Sequence, residues 1–178
     1  MNTWAKKCRL PEGIIVVKAN NNKAVSQILV DADACPVKKE ICQIAGEFGL
    51  TVRLLVSIAH HSRQHLEYPE VYYHYVDNQD QAVDLAIMNR LQPGDIVVTQ
   101  DIGLAAMVLG RRGRALTPRG YIFKSETIGE LLEMRHIEAK ARQAGQRTRG
   151  PKVFDSGERH NFIAAFRAII KEAVNFRC

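Results

Sequence analysis

No apolar run in this 178-residue chain approaches the ~20 residues a helix needs to cross a bilayer. The stretch Ile14–Val17 is far shorter than the about 7–15 apolar residues of a secretory signal. Together these lacks make the cytoplasm the expected location. Cysteine is sparse: Cys8, Cys35, Cys42 and Cys178 form no Cys-x-x-Cys pair and do not sit at zinc-finger spacing from histidine. They read as small apolar side chains in a reducing compartment. Internal repeats and low-complexity tracts are missing too, which leaves an ordinary globular body.

Composition agrees, with 46% hydrophobic and 25% charged residues, enough for one domain with a proper core. The net charge of +6 is compatible with a polyanion such as nucleic acid, and the basic excess lies mostly after Gly110.

The chain is organised around Ile28–Pro36, ILVDADACP. Three aliphatic residues run into Asp31 and Asp33, and Pro36 stands where a helix can begin. This predicts a buried strand with carboxylates at its carboxyl end, the rim where open α/β sheets bind ligands. Further strands are predicted at Thr51–Val56, Val71–Val76, Ile96–Thr99 and Arg114–Leu116, with room for another at Tyr121–Phe123. Helices are predicted over Val37–Phe48, Asp80–Leu91, Ile102–Leu109, Thr127–Gln143 and Glu158–Phe176. The fourth should turn Ile128, Leu131, Leu132 and Met134 inward. The last should bury Phe162, Ile163, Phe166, Ile169, Ile170 and Val174. Alternating strands and helices imply an α/β fold on a mainly parallel sheet. Residues 1–27 fit this pattern poorly and are expected to form a poorly ordered extension, with residues 28–178 as the body.

Asp31, Asp33, Asp80, Asp84 and Asp101 fall at strand ends or helix starts. Gathered at one rim, they would suit Mg²⁺ or Mn²⁺, which prefer oxygen ligands. Crowding like charges without a cation would raise their pKa values. Each of Asp33, Asp80 and Asp101 is equally well read as a helix cap. Thr99 is a candidate to hold a water or a phosphate oxygen, and β-propensity explains it as well. The basic groups are Arg111, Arg112, Arg114, Arg119 and Lys124, then Arg142, Arg147, Arg149 and Lys152. Phosphate binding and a solvated surface explain them about equally. His60, His61 and His65 fit a loop better than a zinc site, and Tyr72, Tyr73 and Tyr75 fit strand packing better than base stacking.

The runs DADACP, VDNQDQAVDLAI and GDIVVTQDIGLA, followed by Thr117-Pro118-Arg119-Gly120, Gly150-Pro151 and Arg159 with Phe162, resemble the YaiI/YqxD family of bacterial proteins. The likeness runs from Ile28 to about Ile170. That family is similar to PIN-like domains, metal-dependent nucleases built as α/β/α sandwiches. The resemblance therefore implies a three-layer PIN-like sandwich and Mg²⁺- or Mn²⁺-dependent phosphodiester hydrolysis, with RNA as the expected partner. It places the acidic positions on Asp31, Asp80 or Asp84, and Asp101, with Asp33 and Asp77 as helpers. Asp31, Asp84 and Asp101 are the expected catalytic set, with metal contacts also from Asp33 and Asp80. Thr99, Arg112, Arg119, Arg147, Arg149 and Lys152 are then the candidate substrate contacts. The sequence is compatible with an oligomer.

Two other readings stand beside it. ILVDAD satisfies the strand-Asp-x-Asp hallmark of haloacid-dehalogenase-type phosphatases, with Asp31 as nucleophile. That chemistry wants a second acidic cluster at one strand end, whereas Asp95 and Asp101 flank opposite ends of one strand. The third reading is an RNA-binding module that keeps the PIN-like shell without catalysis.

Overall fold

The computed structural model describes residues 25, 27–33, 35–58, 68–77, 79, 81–144 and 152–175. Five strands form one sheet in the order β3-β2-β1-β4-β5: β1 (Gln27–Asp31), β2 (Thr51–Ser57), β3 (Val71–Val76), β4 (Ile96–Val98) and β5 (Arg114–Leu116). Every pairing within it is parallel. Ile122 adds only an isolated antiparallel bridge to Leu116, where the sequence left room for a strand. The helices among the described residues are α1 (Lys38–Glu47), α2 (Ala82–Arg90), α3 (Ile102–Gly110), α4 (Ile128–Gln143) and α5 (Ser156–Asn175).

Alternation along each strand splits the core into two halves. Ile28, Val30, Val52, Leu54, Val56, Ile96, Val98 and Leu116 face α1 and α5. Leu29, Leu55, Val97 and Ala115 face α2 and α3, with Ile128 and Leu131 of α4 at the margin. The result is a three-layer α/β/α sandwich whose strands are apolar on both faces, as a covered parallel sheet requires. Phe162 and Phe166 of α5 stack with centroids 5.2 Å apart and both are fully buried. Burying each is worth roughly 1.5–3 kcal/mol.

Some inward assignments do not hold. Leu132 and Met134 on α4 are 37% and 58% exposed, because α4 meets the body only along the row of Ile128 and Leu131. On α5, Val174 is exposed and Ala173 takes the buried position. At the other end of the chain, β1 begins at Gln27, and Val25 is fully buried in the first core half.

Strand order reverses between β1 and β4, so the carboxyl ends of these neighbours flank the topological switch point of the sheet. In this register Val30 pairs with Val98, which makes Asp31 and Thr99 the next residues on adjacent strands. Both continue the face of Leu29 and Val97, the face covered by α2 and α3. The chain enters α2 from β3 and α3 from β4, so the first turns of both helices stand at this same rim.

Candidate functional site

Asp31 closes β1, and its Oδ2 accepts a hydrogen bond from Thr99 Oγ1 at 3.1 Å. The same hydroxyl oxygen accepts from the Asp101 N–H at 3.0 Å. Thr99 is 1% exposed, and it fixes Asp31 against the start of α3. Its observed role is therefore to hold protein groups together. Asp101 is the N-cap of α3, accepting from the N–H groups of Gly103 at 2.6 Å and Leu104 at 3.1 Å. Arg135 of α4 grips both of its oxygens, at 2.9 and 3.1 Å, in the bidentate manner that suits a guanidinium. Asp84 sits in the first turn of α2 and lines a groove of about 590 Å³ together with Asp101, Arg135 and Arg111. Gln81, immediately before this helix, has a left-handed φ of 64°, an uncommon conformation for a residue with a side chain.

The electrostatics separate these acids. Burial pushes the Asp31 carboxyl above its usual range, and the neighbouring charges of Asp33 and Asp84 add to it against the Thr99 hydrogen bond. Asp84 is raised too, by burial and then by Asp101. Burial acts the same way on Asp101, but Arg135 and the N–H groups of Leu104 and Gly103 outweigh it, and this carboxyl is held below its usual range. Asp84 is thus close enough to Asp31 and to Asp101 for charge to be felt across each pair. The charge of Asp33 also reaches Asp31, but its hydrogen bond goes elsewhere. The strand ends at Asp31, and the Asp33 carboxylate turns to accept from the Ser57 N–H at 2.9 Å.

Of the expected ligands, the four described ones, Asp31, Asp33, Asp84 and Asp101, do not gather into one cage. Among the described residues, no three His, Cys, Asp or Glu side chains come together closely enough to enclose an ion. Asp80 lies outside the described residues, as do Arg147, Arg149, His60, His61 and His65. Asp77 is exposed at the end of β3. What the rim offers a hard cation is Asp31 and Asp84, two oxygen donors whose charge a cation would relieve. Mg²⁺ commonly binds through one or two carboxylates, retained waters and substrate phosphate.

Arg119 and Lys152 do reach this end of the sheet, lining a groove of about 410 Å³ with Asp33, Cys35 and Gln100. Arg119 pairs with Glu158 and donates to the Lys152 carbonyl at 2.6 Å. Arg112 does not reach it. It follows α3, and its carbonyl accepts from the Gly94 N–H in the turn before β4, at the opposite rim. Arg114 anchors there too, donating to the Gly94 carbonyl at 3.0 Å. Asp95, fully buried, accepts from Gln27 and Gln92 at the same far rim. Arg135 went unnoticed in the sequence because nothing local marks it; only the packing of α4 against α3 brings it to Asp101.

A family model described as "Uncharacterized BCR, YaiI/YqxD family" matches residues 29–172. The chain belongs to this family. A UPF0178 protein of Bacillus pumilus is 39% identical over 165 residues, covering 93% of this chain and 98% of its own. A UPF0178 protein of Listeria monocytogenes is 40% identical over 140 residues, 79% of this chain and 92% of its own. Among solved structures, Rae1 (YacP) from Bacillus subtilis is similar at a TM-score of 0.40 and 15% identity, covering 68% of this chain and 85% of that one. No helix among the described residues is long and apolar enough to cross a membrane.

Proposed function

We infer that this member of the YaiI/YqxD family is a divalent-cation-dependent phosphodiesterase acting on RNA, with a PIN-like arrangement of its acids. The observation that carries the reading is the Thr99 bridge. One buried hydroxyl locks Asp31 to the start of α3 at the switch point of the sheet, where Asp84 and Asp101 also stand. Asp31 and Asp84 would hold Mg²⁺ or Mn²⁺, which when bound stabilises charge on the phosphate and acidifies water.

The chain's own residues have distinct parts in this scheme. Asp31 is the fixed anchor, held in place by Thr99. Asp84, in the first turn of α2, would share the cation with Asp31 and orient the attacking water through a hydrogen bond. Asp101, charged and tied to Arg135, sets the position of α3, and Arg135 tempers the field felt by Asp84. Lys152 supplies positive charge to the RNA backbone, and Arg119, held by Glu158, lines the same groove.

The test is hydrolysis of an unstructured RNA with Mn²⁺ present, alongside calorimetric titration of Mn²⁺. The expected result is cleavage and cation binding by the unmodified chain, with both lost in Asp31→Asn. Cleavage by Asp31→Asn at the unmodified rate would overturn the reading.

A second reading rests on Arg135. Its grip on both oxygens of Asp101 already neutralises one acid of the set. This favours a module that binds RNA without cutting it, and RNA binding without hydrolysis in the same assay selects it.

A further inference from the structure

Two grooves meet at Gln100 and Arg119, at the end of the sheet that carries Asp31. One contains Asp33 and Lys152 and is the polar groove described above. The other, about 350 Å³, is walled by Ile102, Tyr121, Phe123 and Leu131. Tyr121 is the unusual member of this wall: the residue is 47% exposed, yet its ring is held in place from behind. Phe123, only 5% exposed, meets it edge-on at 5.4 Å and 83°. The backbone around it is closed by three hydrogen bonds. Gly120 N–H donates to the Thr117 carbonyl at 2.9 Å, and Thr117 N–H donates to the Tyr121 carbonyl at 2.8 Å. Tyr121 N–H donates to Thr117 Oγ1 at 3.1 Å. Pro118 stiffens this turn further.

Gly120 seals the turn against α5. Its φ is +88°, and a Cβ there would stand 2.8 Å from the Asn161 backbone. The segment from Thr117 to Tyr121 therefore presents Arg119 to the polar groove and the Tyr121 ring to the apolar one with little freedom. A fixed, half-exposed aromatic face beside a fixed guanidinium matches the two halves of a nucleotide. The ring offers a stacking platform; Arg119, held in place by Glu158, offers N–H donors, and Lys152 in the same groove offers the positive charge complementary to the phosphate.

We propose that the Tyr121 groove seats one unpaired nucleobase of single-stranded RNA, stacked on the Tyr121 ring, while Arg119 and Lys152 hold the adjoining phosphate. The site rests on the RNA reading above and adds to it. A base inside a duplex cannot reach the ring, so the groove selects single-stranded substrate. Stacking accepts every base, so the groove carries little sequence preference.

The experiment measures binding by fluorescence anisotropy in the Asp31→Asn background, so that the RNA stays intact. Two labelled ligands of equal length are compared, an unstructured RNA oligomer and a fully abasic ribose-phosphate oligomer. Tyr121→Ala is expected to weaken the RNA oligomer about tenfold, in line with the loss of one stacked base, while Tyr121→Phe keeps the affinity. The abasic oligomer is expected to bind weakly and to be indifferent to Tyr121→Ala. RNA affinity unchanged in Tyr121→Ala, or an equal loss for the abasic oligomer, overturns the site while leaving the RNA reading intact. Absence of any RNA binding removes both. Tyr121-dependent binding, where the unmodified chain shows no hydrolysis, keeps the site and removes the nuclease.

Discussion

Thr99 donates its hydroxyl hydrogen to Asp31 across 68 residues of sequence, at 3.1 Å. With the Asp101 N–H donating back to the same oxygen, one side chain holds Asp31 and Asp101 in register. Replacing the hydroxyl by a methyl in Thr99→Val leaves Asp31 without this donor and the Asp101 N–H without its acceptor. The expected cost is about 1.5–3 kcal/mol, typical of a hydrogen bond to a charged group, with Thr99→Ser close to the unmodified chain. Urea unfolding of the three proteins checks this.

Asp31 makes the opposite contribution to stability in cation-free protein. Its carboxyl binds a proton more tightly folded than unfolded, so above its folded pKa the charge costs stability. That cost fades as pH falls through the folded pKa towards the ordinary value of 3.8, below which both states are protonated. Asp31→Asn, which keeps an acceptor for Thr99, is therefore expected to melt higher than the unmodified chain at neutral pH in EDTA. The gap should close on acidification. A lower melting temperature at pH 7 would contradict the assignment.

Asp101 behaves in the reverse sense. Its depressed pKa means that the stability it supplies is present above the unfolded value and is lost as pH falls through the folded one. Because Arg135 and Asp101 are 48% and 35% exposed at their side chains, solvent screens the pair. Arg135→Gln should cost less than about 1 kcal/mol. In an NMR titration it should move the Asp101 carboxyl upward, towards its usual range.

Gly120→Ala combines a positive φ with a collision against the α5 backbone. Strain at such a position costs on the order of 1–3 kcal/mol before the clash is counted. Thermal melting should show the loss. Gly129→Ala makes a useful contrast, because a Cβ there meets nothing within 4 Å.

The two described cysteines should be chemically quiet in the folded protein. Burial pushes the Cys35 thiol up to about 12 and the Cys42 thiol up to about 11. Their thiolates are then scarce at pH 8, and iodoacetamide should leave both unmodified until denaturant is added. Peptide mass mapping reads each position separately.

Much of the architecture was legible because the sheet is covered on both faces. Runs such as ILV before Asp31 and IVV before Thr99 cannot be stable unless buried, and they fixed β1 and β4 almost to the residue. The limits came from tertiary contacts. The Leu131, Leu132 and Met134 cluster does not reveal how narrow a stripe of α4 will be covered. Arg111, Arg112, Arg114 and Arg119 are neighbours in sequence, yet α3 returns the chain to the far rim before β5 carries it back. Arg112 and Arg119 consequently end at opposite ends of the sheet. Asp33 is expected to join Asp31 as a ligand at one rim, but the strand stops between them, and the Ser57 N–H captures its carboxylate.

The last helix has a consequence for synthesis. α5 supplies Phe162, Phe166, Ile169, Ile170 and Ala173 to the half of the core that also contains β1. Until those residues leave the ribosome, the part of this face that α1 does not cover stays open to water and to other nascent chains. The turn bearing Tyr121 likewise lacks the backbone against which Gly120 closes. Translation of this chain should therefore produce a sticky intermediate with an unformed base groove, and chaperone demand should fall sharply once the final helix emerges.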